Sequence, residues 1–366
     1  MCLRKCEVRD MKKLTIKRTT RTDFITYLGV IIAFIVMTVL RDQGFLTRSL
    51  TGQLVPICCY ISMAVSLNLT VGILGELSLG HAGFMSVGAF SGIIAAMSLQ
   101  SMIPSAPLRL AVAMVVGALF AAIAGFIVGV PVLRLRGDYL AIVTLAFGEI
   151  IKDLINCLLV GYDSNGLHMA LNLTGSKSIT DLNLESDGIA IIKGAQGATG
   201  TTTISSFTAG FVLVMITLVI VLNLVRSRTG RAVMAIRDNR IAAESVGINV
   251  TKYKLIAFVT SAALAGAAGA LYGLNFSSLQ ATKFNFNTSI LVLVFVVLGG
   301  LGNIWGSVIA ATVLTILPEA LRGFDDYRML IYAIVLILVM LATNNAQAKA
   351  LLGRIIPKRK GAPTNG

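Results

Sequence analysis

The sequence predicts an all-α membrane protein: a polytopic transmembrane helix bundle of about ten spans with both termini in the cytoplasm. Three observations carry that expectation. The chain is 56% apolar and only 13% charged, where a soluble chain carries about a quarter charged residues. Apolar runs of about 20 residues recur, the length that crosses a hydrocarbon core roughly 30 Å thick. The runs are continuous rather than alternating with period two, which favours helices over a barrel.

The elements follow in order. Residues 1–23 form a basic N-terminal tail that does not resemble a secretory signal. A transmembrane domain over 24–345 then holds spans at approximately 24–40, 54–74, 78–99, 108–133, 139–160, 204–225, 254–275, 287–301, 304–321 and 328–345. A second basic tail, 346–366, closes the chain. Charge placement supports this layout. With the N-terminus inside, 22 Lys and Arg fall on cytoplasmic segments and 8 on outer ones, with Lys152 inside a span. An odd number of spans would put one terminal basic cluster outside.

The net charge of +14 therefore belongs mostly to the cytoplasmic face. Insertion and anionic lipid headgroups account for it, so membrane lipid is an expected partner and nucleic acid is not. Cys2, Cys6, Cys58, Cys59 and Cys157 lie in the basic tail or within spans, without metal-ligand spacing. They read as reduced and structural. The largest outer segment, 161–203, is rich in Gly, Thr, Ser and Asn, which suggests turns and short strands rather than a folded domain. It is either a solvated connector or a landing surface for a soluble partner.

Catalytic motifs are missing. There is no phosphate loop, no H-E-x-x-H and no G-x-S-x-G, and His81 and His168 are the only histidines. No catalytic residue, metal site or cofactor is expected in this chain, and it does not read as an enzyme.

The polar island 226–254, RSRTGRAVMAIRDNRIAAESVGINVTKYK, is the most informative stretch. From Gly230 to Val246 it reads as one amphipathic helix. Ala232, Val233, Ile236, Ile241 and Ala242 are its apolar members, with Arg231, Arg237, Asp238, Arg240 and Glu244 between them. Gly247 fits the residue after the helix, where a left-handed backbone is needed. Such a helix either lies in the headgroup plane or seats in a partner's groove.

Two further stretches carry pathway or gate candidates. Residues 75–92, GELSLGHAGFMSVGAFSG, are rich in small residues that let backbones approach closely. Gly75, Glu76, Ser78, Gly80 and His81 are the candidates there. Glu76 suits a gate, or the dipole at a helix start; His81 suits a pathway or plain packing. In LRLRGDYLAIVTLAFGEIIK (133–152) the candidates are Thr144 and Glu149. Glu149 and Asp153 share a helix face and Lys152 lies three residues from Glu149, a spacing that permits an internal ion pair. These groups suit a pathway or contact with headgroups. The Gly-punctuated stretches 72–90 and 297–312, the second containing the candidate Asn303, both read as helices broken near the membrane interior or as close helix packing.

VLRLRGDYLAIVTLAFGEIIK, GRAVMAIRDNRIAAESVGINVTKYKL and GELSLGHAGFMSVGAF together resemble the membrane permease of branched-chain amino acid ABC importers, the larger (LivM-type) of its two permease types. The resemblance covers roughly 54–345. It implies a permease that moves branched-chain or other apolar amino acids, driven by ATP hydrolysed on partner subunits. The implied partners are two ATPase subunits at the cytoplasmic face, a second permease subunit and an extracytoplasmic substrate-binding protein. It implies a cell-membrane location. It also makes 230–249 the coupling helix, with Arg231, Arg237, Glu244 and Gly247 matching the motif, joined here by Asp238 and Arg240. Gly161–His168 departs from the family's Gly-rich outer segment, and related permeases carry urea, short amides or other amino acids. An ion-coupled secondary carrier using Glu76, Glu149 and Asp153 is the alternative of another class.

Overall fold

The computed structural model describes residues 26–321 except 45, 46, 101, 136, 164, 165 and 173–187, and scattered residues from 327 to 337. The chain divides into two compact units, Met1–Thr312 and Val313–Gly366. The terminal tails and most of the expected span 328–345 lie outside the described residues, as do Cys2 and Cys6.

Helices dominate. α1 covers 26–42. α2 is Arg48–Asn68 and runs into a π-helical turn, Leu69–Leu74. α3 is His81–Ser98, α4 Ala106–Val132, α5 Asp138–Asn156 and α6 Phe207–Arg226. Two short helices, α7 (Arg228–Asp238) and α8 (Arg240–Ser245), precede α9, Val250–Gly273. α10 is Phe286–Gly299 and α11 Ile304–Ala320. Five of the described helical stretches are long and apolar enough to cross a membrane: Arg48–Leu74, α3, α4, α6 and α9.

Local chemistry sets the helix starts. Ser206, Ser227, Asn239, Asn249 and Asn285 each precede a helix and accept a hydrogen bond from a backbone N–H of its first turn. A Ser or Asn cap satisfies one of the four orphan donors there. Pro107 sits in the first turn of α4, where its missing N–H costs nothing.

Packing sorts the helices by depth. The apolar window of Arg48–Leu74 is 89% buried, whereas that of α4 is 28% buried. Arg48–Leu74 is thus central and α4 peripheral, with Val115, Leu119, Ile123 and Phe126 turned outward. Small residues hold α3, α4 and α9 together, as 75–92 predicts. A Cβ on Gly88 would stand 2.1 Å from the Gly266 carbonyl oxygen, and one on Gly266 would stand 2.3 Å from Ala121 Cβ. Such close backbone approach is the usual adhesive where lipid supplies no hydrophobic drive. Phe34 stacks on Phe207 and Phe211 to fix α1 against α6.

The fifth expected span, 139–160, needs correction. The helix ends at Asn156, and Leu158–Asp163 forms β1. β1 pairs antiparallel with β2 (Gly166–Leu171) and β3 (Ile189–Lys193). β4 (Ala198–Thr199) and β5 (Ser278–Leu279) complete a sheet in the order β2-β1-β3-β4-β5. Leu159 and Val160 are buried in this sheet. A short apolar run looks the same whether it ends a helix or fills a strand. Segment 161–203 does hold short strands, as its composition suggests, and β5 from beyond α9 joins them.

The single helix expected over 230–246 is also corrected: it breaks at Asn239. That residue is extended (φ −156°, ψ 105°), and its side-chain Oδ1 accepts from Ala242 N at 3.0 Å. An Asn side chain that bonds nearby backbone competes with helix continuation. The break turns α8 relative to α7. Val233, Ile236 and Ala243 are buried, while Ile241 and Ala242, expected on the same apolar face, are exposed.

Candidate functional site

The chain between α2 and α3 is not helical throughout. The π turn leaves its ordinary ladder, Gly75 adopts φ +80°, and residues 75–80 run without regular structure. π turns are rare and recur at functional sites. Irregular backbone at membrane depth must be satisfied by protein or line a cavity. Here protein satisfies it.

At the π turn, Asn68 is fully buried. Its Nδ2 donates to Ser307 Oγ at 2.8 Å, and its Oδ1 accepts from Gly302 N at 2.8 Å. Gly72 has no room for a side chain: a Cβ there would lie 1.8 Å from Asn68 Oδ1 and 2.2 Å from Gly302 N. The two Gly-punctuated stretches 72–90 and 297–312 therefore meet. Broken elements that meet in this way are a feature of transport paths. Asn303 itself caps the start of α11, accepting from Gly306 N at 3.3 Å and from Ser307 N through its carbonyl at 3.1 Å.

From the polar connector, Arg237 Nη1 donates to the Gly72 carbonyl at 3.2 Å. A Cβ on Gly75 would meet Arg237 Cγ at 2.7 Å, so the arginine stem lies directly against this glycine. One residue on, Glu76 forms a hydrogen-bonded ion pair with Lys254, the fifth residue of α9. Lys254 is only 4% exposed. A charge this enclosed requires a partner.

The other end of the segment is tied as firmly. Leu79 N donates to Thr144 Oγ1 at 3.1 Å, and Thr144 Oγ1 donates to the Ala141 carbonyl at 2.9 Å. A Cβ on Gly80 would lie 2.1 Å from the Thr144 carbonyl oxygen. His81 Nε2 and Ser66 Oγ are 2.9 Å apart, Ser261 Oγ donates to the Ser66 carbonyl at 2.6 Å, and Ala82 N donates to Ser289 Oγ at 3.2 Å. Ser78 Oγ is buried without a hydrogen-bond partner among the described residues.

The structure thus gathers Gly75, Glu76, Ser78, Gly80, His81, Thr144 and Arg237 around one broken segment. Glu149 stands apart on α5. It pairs with Lys152, which also reaches Asp153 at 3.5 Å, and Glu149 Oε1 accepts from Phe286 N at 2.9 Å, securing the start of α10. The internal ion pair expected from spacing is present. Arg231 donates to the Arg226 carbonyl at 3.0 Å, and Asp238 pairs with Arg237. Arg240 pairs with Glu244 at 2.9 Å on the outside of α8, and Gly247 has φ +84°, the left-handed position foreseen after the helix.

Ser66, Asn68, Lys254, Ser261, Ser289 and Ser307 escaped the sequence reading. Asn68 and Lys254 carry a usable signal, since a strongly polar residue in or beside an apolar span needs a partner. The serines carry none, because membrane helices tolerate serine on any face.

Comparison with known proteins identifies the family. Residues 49–340 match the family model for the branched-chain amino acid transport system permease component. The high-affinity branched-chain amino acid transport system permease protein LivM of Salmonella typhimurium is 34% identical over 293 residues, covering 77% of this chain and 66% of that protein. LivM of Escherichia coli gives the same identity and coverage. The corresponding permease protein BraD of Pseudomonas aeruginosa is 25% identical over 287 residues, covering 77% of this chain and 89% of that protein. The chain thus spans just under two thirds of the length of the LivM proteins it matches. The apolar spans and the extent of these matches make the chain a multi-pass protein of the plasma membrane that belongs to the branched-chain amino acid permease family, as a LivM-type member.

Proposed function

We propose that the chain is the membrane permease subunit of an ATP-driven importer for branched-chain or other apolar amino acids. Ten spans place both termini in the cytoplasm. Two ATPase subunits dock on the connector 226–254, a second permease subunit completes the path, and an extracytoplasmic binding protein delivers cargo to the face that bears the β-sheet. ATP is consumed on the partners, and this chain performs no chemistry on its cargo.

The observation that carries the reading is the build of α7 and α8. Their inner side is anchored by the cluster of Ile236, Ala243 and Val250, with Ile248 and Tyr253 against it. Their outer side leaves Ile241 80% and Val246 75% exposed beside the Arg240–Glu244 pair. Large apolar side chains ringed by charge suit a protein groove. Against a self-sufficient carrier stands the pairing of Glu76 with Lys254 and of Glu149 with Lys152. At both carboxylates a lysine already neutralises the charge, so a proton or sodium ion could bind only by displacing it.

Reconstitution tests the reading. The chain, co-expressed with its partners, is expected to co-purify with a nucleotide hydrolase and to take up leucine or valine only with ATP. Alone in liposomes it is expected to show no uptake under a proton or sodium gradient. Gradient-driven uptake by the lone chain refutes the proposal.

A further inference from the structure

We infer that the Glu76–Lys254 ion pair and the Arg237–Gly72 hydrogen bond form a two-point link through which displacement of the connector 226–254 is passed to the broken segment 69–80. The inference rests on the importer reading above and names the residues that transmit its motion.

The argument starts from what each contact excludes. Arg237 holds the Gly72 carbonyl with its guanidinium while its stem fills the space beside Gly75. The stem leaves no gap into which the segment could slip. Gly75 is already at φ +80°, a region open mainly to glycine, so the turn there adopts a specific shape. Glu76 is bound by Lys254, whose side chain is 5% exposed. Separating two such charges leaves one of them buried and unpaired, so the pair moves as a unit. Arg237 lies in the last turn of α7 and Lys254 is the fifth residue of α9, so the two contacts flank the connector that also presents Ile241 and Val246 outward.

The receiving element suits the task. A six-residue π turn is a minority backbone state beside the α-helix, and such a turn can shift register. Its far side is held by Asn68 to Gly302 and Ser307, and the segment beyond it by Thr144 and by Ser66 at His81. Motion at residues 72–76 must therefore deform contacts to α2, α5 and α11 rather than dissipate in a loose loop. Packed interiors change between discrete arrangements, not continuously. Coupling needs such a two-state element, and the π turn supplies it. Glu76, Lys254 and Arg237 are positioning residues here; none is assigned contact with cargo.

The test uses the complete complex with its ATPases and binding protein in proteoliposomes, reading leucine taken up per ATP hydrolysed. This ratio is independent of how much complex inserts. Glu76→Lys and Lys254→Glu are each expected to lower it by roughly 10-fold, within the range of ordinary inter-site couplings. The double swap, which restores opposite charges, is expected to recover at least about a third of the wild-type ratio. Arg237→Met keeps the stem over Gly75 but loses the donor, and is expected to lower the ratio without any new buried charge. If the charge variants fail to insert, the Arg237→Met result decides alone. An unchanged ratio in the inserted variants, or a swap no better than its parents, overturns the link. Wild-type complex that lacks ATP-driven uptake instead overturns the importer reading itself.

Discussion

Gly88→Ala is a sharp test of how the bundle is held together. The added methyl would sit 2.1 Å from the Gly266 carbonyl oxygen, 2.3 Å from Gly266 Cα and 2.5 Å from its carbonyl carbon. All three neighbours are backbone, so no side chain can rotate away. Ordinary contact begins near 3.4 Å, so α3 and α9 must part locally by about 1.3 Å. Parting them also loosens Gly117, whose own Cβ position is 2.8 Å from the Gly88 carbonyl oxygen. Overpacking of this kind costs about 1–3 kcal/mol. Alanine's better helix propensity returns about 0.5–1 kcal/mol. The net expectation is a loss of about 1–2 kcal/mol, or roughly 5- to 30-fold in the folded-to-unfolded ratio. The assay is detergent-induced unfolding in mixed micelles, followed by fluorescence of Trp305, the only tryptophan. Trp305 is half-buried and lies against Gly29 of α1, so its emission changes when α1 leaves it. Gly52→Ala is the matched control. It lies in α2 with nothing within 4 Å of the added methyl, and is expected to leave stability equal or raised. Gly88→Ala as stable as wild type refutes the close-packing argument, as does an equal loss at Gly52.

Two other expectations follow from particular contacts. Asn68→Ala removes the two hydrogen bonds that tie the fully buried Asn68 to Gly302 N and Ser307 Oγ. It should lower stability by about 1–3 kcal/mol in the same unfolding assay, and a midpoint equal to wild type counts against the bridge. Ile241→Glu alters an 80% exposed side chain, so folding and insertion should be untouched. Burial of an isoleucine contributes about 1.5–3 kcal/mol, so the variant should bind the ATPase partner at least roughly 10-fold more weakly in a titration of purified components. Undiminished affinity removes Ile241 from the docking face.

Much of the fold could be read directly from the chain, because the forces that create membrane helices are local. Long apolar runs must hydrogen-bond their own backbone in lipid, and the Ser and Asn residues before them close the first turn. Gly247 was legible for the same reason, since the end of a helix demands a left-handed residue. The resemblance carried by the LRGDY segment, the Arg-rich island and the GELSLGHAGF stretch pointed to the family that the matched residues 49–340 bear out. Local reasoning failed where a partner lay far away in sequence. Leu158–Asp163 became a strand because β2, β3 and, through β4, the distant β5 were there to pair with it. The helix over 230–246 broke because Asn239 gained more by capping α8 than by continuing α7.

Composition and periodicity alone determined that this is a helical membrane protein, and they located the five described helices long and apolar enough to cross a membrane. They also marked Glu76, His81, Thr144 and Arg237 as residues of interest. Only the tertiary structure decided what these residues do, since Glu76 finds Lys254 178 residues away and Gly72 is wedged between Asn68 and Gly302. Burial in lipid acts on each segment by itself and so is written along the chain. The pairing of buried polar groups depends on which helices come to lie side by side, and that is set by the packing of the whole bundle.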